Sequence, residues 1–232
     1  MRDVVRDEVF ELTPTFTRGV VVARGLCIRS QNPRIEAFLR QIESERAAQG
    51  VQLISDPRVS AWDETHRKFG SNPKHYPPAI RSLLDRVRRG KTVPYINDGV
   101  AVFNAVSLKY LLPCGGDDLD EIVPDAYLGP ALGKECFTPL GGGDIEHPER
   151  GEVIYHDGDH KIMCRRWNWR NGDQTKITTE TQNMLINIDG LGEGIRSVVE
   201  EAAEEMALWF EYECGASTIR DVLHIDRRSI CL

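Results

Sequence analysis

At 232 residues the chain is long enough to bury a full core, as one large domain or two small ones, and 41% hydrophobic with 28% charged residues is an ordinary globular composition. No stretch approaches the roughly 20 apolar residues of a membrane span, which argues against a membrane role. A formal net charge of −7 excludes a protein that grips long nucleic acid by bulk electrostatics, so any such contact falls to local basic clusters.

The opening residues, Met1 to Glu11, carry acids where a signal would be apolar, so neither a secretory nor a transit peptide is expected and the reading is cytoplasmic. Residues 19 to 28 form a β-branched run that predicts a buried strand. An amphipathic helix with Ile35, Phe38, Leu39 and Ile42 follows. Val51 to Ile54 reads as a short second strand, Trp62 to Gly70 and Pro78 to Arg89 as helices, with Gly90 as a stop. Asn104 to Leu112 is an apolar, helix-like run that enters a glycine turn at Pro113-Cys114-Gly115-Gly116-Asp117. From residue 123 to 163 short apolar pieces alternate with Gly and Pro, predicting strands at Glu152 to His156 and Lys161 to Cys164. Ile177 to Ile188 is ambiguous between strand and helix, and Gly194 to Tyr212 is a helix with Ile195, Val198, Val199, Ala202, Met206 and Trp209 on one face. Early helices, a β-rich middle and a closing helix make the fold α+β, read as one domain over 1–232 with helices covering mixed or antiparallel sheet.

Chemistry concentrates at a few positions. Asn104 sits between apolar residues, where a half-buried amide needs partners for both its oxygen and its nitrogen; taken alone it reads as a backbone bridge. Ser107, at i+3, shares its helical face. Gly115 and Gly116 let backbone N–H groups approach a ligand, and Asp117, Asp118 and Asp120 follow. In Cys164-Arg165-Arg166-Trp167-Asn168-Trp169-Arg170 the arginines suit phosphate and the indoles suit stacked bases; the alternative is a strand with core Trp and surface Arg. Arg86, Arg88, Arg89 and Lys91 form a second basic cluster that reads as a solvated helix face. The six cysteines are scattered singly with no Cys-x-x-Cys pair, so reduced, structural thiols are expected. His156 and His160 flank a Gly158 turn and make a poor metal pair. No nucleophile-elbow, Walker or His-Glu-x-x-His pattern occurs, and neither a metal nor another cofactor is expected.

The order Asn104 to Asp120, then Gly133-Lys134-Glu135, then Cys164 to Trp169 resembles the editing module of the phenylalanyl-tRNA synthetase beta subunit and the freestanding B3/B4 family, over roughly residues 60 to 190. That resemblance implies a B3/B4-like fold and hydrolysis in trans of the ester on a mischarged tRNA. It implies Asn104 lining the site, with Ser107, Gly115 and Gly116 beside it. Asp117, Glu180, Lys176 and Glu135 would meet the substrate, and Arg165, Arg166, Trp167 and Arg170 the tRNA. Where the synthetase motif has a His two residues after Pro this chain has Gly115, and alignment through Asn183 puts Lys176 at the position of the editing glutamate. Freestanding members include deacylases of tRNA(Arg) charged with canavanine, and the acids of this chain suit a guanidine-like side chain better than a phenol. The partner expected is therefore the aminoacylated 3′ end of a tRNA, tRNA(Arg) first. Three alternatives stay open: a deacylase for another mischarged tRNA, a non-catalytic tRNA or synthetase partner, and a small-molecule hydrolase or binder.

Overall fold

The computed structural model describes residues 1–232. In chain order the elements are β1 (Arg2–Val5), α1 (Asp7–Leu12), β2 (Thr17–Arg24), α2 (Pro33–Gln49), α3 (Pro57–Lys68), α4 (Ala79–Arg88), α5 (Asp98–Tyr110), β3 (Cys114–Asp118), β4 (Ala126–Pro130), β5 (Val153–His156), β6 (Ile162–Arg165), β7 (Arg170–Asn171), β8 (Asn183–Gly190), α6 (Ile195–Cys214), β9 (Ser217–Leu223) and β10 (Ser229–Cys231). Two sheets result. One is mixed, ordered β10-β1-β4-β5-β6-β7 with β1 and β4 parallel; the other is antiparallel, ordered β3-β8-β2-β9. This is an α+β fold of helices packed with mixed and antiparallel sheets.

The antiparallel sheet lies between α5 and α6 on one side and the mixed sheet on the other, and alternation along its strands sends neighbouring residues to opposite sides. Toward the helices, a Cβ on Gly19 would meet Val199 of α6 at 2.9 Å, and one on Gly116 would meet Phe103 of α5 at 2.9 Å. Both glycines are places where a helix approaches the sheet too closely for a side chain. Toward the mixed sheet, Arg18 of β2 pairs with Asp3 of β1 at 3.1 Å, and the Tyr155 hydroxyl of β5 donates to Asp189 of β8 at 2.8 Å. A core of 51 buried residues runs through both sheets and the helices, with Phe16, Trp62, Trp167 and Phe210 among its largest members.

Helix ends are set locally. Asn32, Asp56 and Asn97 accept backbone N–H bonds from Arg34, Arg58 and Val100 as N-caps of α2, α3 and α5, and α2 and α3 each begin with Pro, which lacks the N–H that would go unpaired there.

Two expectations fail. Residues 50–55 form a 3-10 helix instead of a strand, with Val51 exposed and the segment paired to no sheet. The glycine segment after Pro113 is strand β3 and not a turn; Gly115 pairs with Asn187 and Asp117 with Leu185, so the ladder with β8 extends the two glycines. The ambiguous stretch resolves as a strand from Asn183, preceded by an irregular segment whose Thr181 hydroxyl donates to Asp118 at 2.6 Å.

Candidate functional site

A cleft of about 730 Å³ opens between α5, β3 and the β6–β7 loop, bordered by Asn104, Phe103, Gly115, Asn168, Trp169 and Arg170. At its floor a recess of about 40 Å³ continues between the two sheets, lined by Asp117, Tyr155, Asn168, Asn187 and Asp189. Cleft and recess share Ala79, Cys114, Gly115, Gly116, Asp117, Asn168 and Asn171, so they form one continuous site.

The alternation of β3 builds the floor. Gly116 turns to Phe103, which sends Gly115 and Asp117 to the other side, beside Asn187 of β8. A side chain at Gly115 would meet nothing within 4 Å, so its absence is what leaves the cleft open. Asn104, on α5, is half-buried at the cleft wall.

The recess is a buried electrostatic cluster. Arg18 donates from Nε to Asn187 Oδ1 at 3.1 Å, lies over the Tyr155 ring at 4.6 Å, and faces Asp189 across the ladder. One guanidinium therefore serves three carboxylates, those of Asp3, Asp117 and Asp189. Burial pushes Asp117 up to about 7, against the Thr175 hydroxyl bond and the pull of Arg18. Burial likewise raises Asp189 to about 6, opposed by Arg18 and Tyr155. Above those values the recess carries surplus negative charge and favours a cation. Burial pushes the Cys114 thiol up, which leaves it protonated and a poor nucleophile.

Asn168 joins cleft to recess. Its Oδ1 lies 3.3 Å from His66 Nε2, its backbone carbonyl accepts from Ala79 at 2.8 Å, and its buried Nδ2 has no hydrogen-bond partner. Burial pushes His66 down to about 4, so the ring is neutral, set between the Asn168 amide and the Tyr76 backbone.

The structure gathers Asn104, Gly115, Gly116, Asp117, Lys176 and Arg170 around the cleft, puts Trp167 in the wall of the recess, and leaves the other expected residues elsewhere. Ser107 is fully buried and donates to the Leu112 carbonyl at 2.5 Å, closing the end of α5; i+3 spacing turned it into the core. Glu135 is buried away from the cleft. Burial opposes its charge, yet the N–H groups of Leu132, Gly133 and Lys134 hold it below the usual carboxylate range, and it braces that loop. Glu180 lies in a separate surface depression with Asp118, Asp120 and Glu121. Lys176 stands at the rim, paired with Asp173 at 2.9 Å.

The Arg-Trp motif requires the largest correction. Arg166 and Trp167 take left-handed backbone, with φ of 47° and 65°, so the chain turns there and the expected strand alternation breaks. Trp167 enters the core edge-on between Phe16 and Trp62. Arg165 is 7% exposed and forks onto buried Glu152 at 2.9 and 2.8 Å; Arg166 is 5% exposed, lies over the Tyr76 ring at 3.8 Å and reaches Glu149 at 3.3 Å. None of the three is free to meet RNA. Of this motif, Asn168, Trp169 and Arg170 border the cleft.

Arg18, Tyr155, Asn168, Asn187 and Asp189 escaped sequence reasoning as site residues. A trace of the last two was present, since Asn187 and Asp189 alternate with Ile186 and Ile188, as polar residues on one face of a buried strand do.

The fold and the site thus define an α+β domain with a cleft leading to an acid-lined recess between two sheets. A family model described as the B3/4 domain matches residues 61–208, and the chain belongs to that family. Among solved structures it is similar to an N-terminal fragment of the phenylalanyl-tRNA synthetase beta subunit from Pyrococcus horikoshii, at 13% identity and a TM-score of 0.49, over 93% of this chain and 49% of the fragment. The chain therefore spans about half the length of that fragment. No curated protein matches it.

Proposed function

We propose that the protein is a trans-acting aminoacyl-tRNA deacylase. It would hydrolyse the ester between a wrong amino acid and the terminal ribose of tRNA, with canavanyl-tRNA(Arg) as the substrate. Membership of the B3/4 family supports a tRNA-related role. The observation that carries the finer reading is the recess, whose size and charge suit the end of a guanidine-bearing side chain. At roughly 10–15 Å³ for each water-sized group, a recess of about 40 Å³ takes about three such groups. The carboxylates of Asp117 and Asp189 that line it suit the cationic end of a guanidinium better than a phenol.

In this reading the side chain enters the recess toward Asp117 and Asp189, and the ester lies in the cleft beside Asn104. Asn104 orients the ester or the terminal adenosine, and the backbone at Gly115 and Gly116 lines the path of the acyl group. Water adds to the ester carbonyl; the C–O bond to the ribose breaks, and the proton from water passes to the ribose oxygen. Positioning and stabilisation of the developing oxyanion supply the rate, without a covalent intermediate.

Specificity against arginine rests on Asn168. Canavanine carries an oxygen where arginine has a methylene, beside the guanidine. A buried N–H without a partner is satisfied by that oxygen and left unpaired by a methylene, and polar recognition of this kind discriminates far better than shape alone. The test is hydrolysis of canavanyl-tRNA(Arg) and arginyl-tRNA(Arg) made on the same tRNA, within a panel of correctly and incorrectly charged species. Rapid loss of canavanine with arginine spared is the expected result. Equal rates, or activity on another mischarged species alone, overturn the substrate, and no hydrolysis across the panel overturns the deacylase.

A further inference from the structure

With Arg165, Arg166 and Trp167 buried, the expected RNA-facing surface is missing, yet the molecule has a second one. A groove of about 720 Å³ runs between α3 and α4, and no hydrophobic residue lines it. It holds six cations and two acids in a chain whose net charge is −7. The two acids are neutralised locally: Asp63 by Arg81 at 3.1 Å, and Asp85 by Arg88 at 3.1 Å and Arg81 at 3.9 Å. Arg67, Lys74, Arg86, Arg89 and Lys91 remain, all exposed and without an acid partner. Pairing within the protein leaves five exposed guanidinium and ammonium groups along the groove.

The groove is joined to the cleft by α4. Ala79, its first residue, borders both cleft and recess and is bonded through its N–H to Asn168, while Arg89 follows the other end of the helix. From Arg81 to Arg89 the axis advances about 12 Å at 1.5 Å per residue. That length is enough to face several consecutive phosphates of one strand of an RNA helix.

We infer that the α3–α4 groove binds the phosphodiester backbone of a tRNA acceptor stem whose 3′ end lies in the cleft. Arg67, Lys74, Arg89 and Lys91 contact phosphates, and Arg86, whose Nε also donates to the Thr92 carbonyl at 2.6 Å, braces the end of α4 as well as adding charge. The inference rests on the deacylase reading for the direction of the RNA, and on charge and geometry for its location. Contacts of this kind carry affinity and register but no sequence, so they suit a surface that meets every stem alike, leaving discrimination to the cleft.

The test replaces Arg67, Lys74, Arg89 and Lys91 by Gln in the full chain, with a control that replaces Arg24, Arg34, Arg196 and Arg220, exposed residues outside the groove, by Gln. Binding of uncharged tRNA is measured from 50 to 300 mM salt. In the groove variant the slope of log Kd against log salt is expected to fall by about 3, from four lost contacts at roughly 0.7–0.9 each, with at least a tenfold loss of affinity at the lowest salt. The control should keep the wild-type slope. An unchanged slope in the groove variant, an equal loss in the control, or no tRNA binding by wild type overturns the proposal. Acetylation of Lys74 and Lys91 in the wild-type protein, with and without tRNA, gives an answer independent of any variant: protection supports the groove, equal labelling refutes it. An aminoacylated CCA trinucleotide, which has no stem, separates the two readings. Groove-variant cleavage of it at the wild-type rate supports stem binding by the groove. If wild type cleaves neither trinucleotide nor tRNA while the groove variant still loses binding, the groove stands and the deacylase falls.

Discussion

His66 Nε2 lies 3.3 Å from Asn168 Oδ1, deep under the cleft, and the Nδ2 end of the same amide has no partner. Burial keeps the imidazole neutral, and the amide oxygen is the atom of Asn168 that faces it. Nδ2 stays on the other side, a donor without an acceptor in the protein. Buried donors of this kind cost roughly 1–3 kcal/mol each when unpaired, and a ligand that supplies the acceptor recovers that cost.

Asn168→Ala is expected to lower hydrolysis of canavanyl-tRNA(Arg) by about 10²-fold, the usual scale for one lost polar contact in an active site, and to narrow the preference over arginine. His66→Phe should cause a smaller loss through misplacement of the amide, and His66→Gln, which keeps a donor, should restore part of it. Rates on both aminoacyl-tRNAs, with a melting curve for each variant, check this. An unchanged preference in Asn168→Ala would remove Asn168 from specificity.

The adjacent glycines of β3 should respond in opposite ways. Gly116→Ala drives a methyl against Phe103, where the contact would be 2.9 Å, and is expected to cost about 1–3 kcal/mol of stability. Gly115→Ala meets nothing and should leave stability unchanged, while Gly115→His projects an imidazole into the cleft and should depress turnover without unfolding the chain. Denaturant titrations beside activity assays separate the two effects.

Asn104→Ala should fold normally and lose most activity, whereas Cys114→Ala should keep substantial activity, because a thiol pushed up by burial supplies little thiolate near neutrality. Mass spectrometry for an acyl-enzyme provides the check. Accumulation of one, abolished by Cys114→Ala, would replace positioning by covalent catalysis.

Raised carboxylates give stability a definite sign with pH. Asp117 and Asp189 hold a proton more tightly folded, at about 7 and about 6, than their ordinary value of 3.8. The folded state therefore binds more protons between those limits. Their contribution is fully present below pH 4 and lost as pH rises through 6 and 7. Asp117→Asn should flatten the upper part of that decline in the apparent unfolding free energy. Affinity for a guanidine-bearing substrate should move the other way, rising through the same window as the recess becomes anionic.

Exhaustive chelation is expected to leave activity intact. The donor atoms do not converge: no group of three or more His, Cys, Asp or Glu side chains is placed to hold an ion. The His156 and His160 rings lie stacked 5.8 Å apart, with His156 Nδ1 at 2.8 Å from the Asp157 carbonyl. Activity lost on chelation and restored by zinc would reverse this.

The chain by itself determined what depends on neighbours along the backbone. Period-3.6 patterns located α4 and α6 within a few residues and marked the apolar stripe of α2, because each helix buries a stripe that spacing records. The order of Asn104, Gly115 and Asp117 marked one wall of the site, since α5 and β3 are consecutive. Tertiary structure decided the rest. Strand β3 is a strand only because β8, some 70 residues later, completes its ladder, and no local signal distinguishes two glycines in a turn from two glycines paired to a distant strand. Arg165 and Arg166 looked like surface charge until Glu146, Glu149 and Glu152 arrived from another segment to pair with them. The recess has the same origin: Arg18, Tyr155 and Asp189 come from three strands in two sheets, and their interactions strengthen only when burial removes the water that would have screened them.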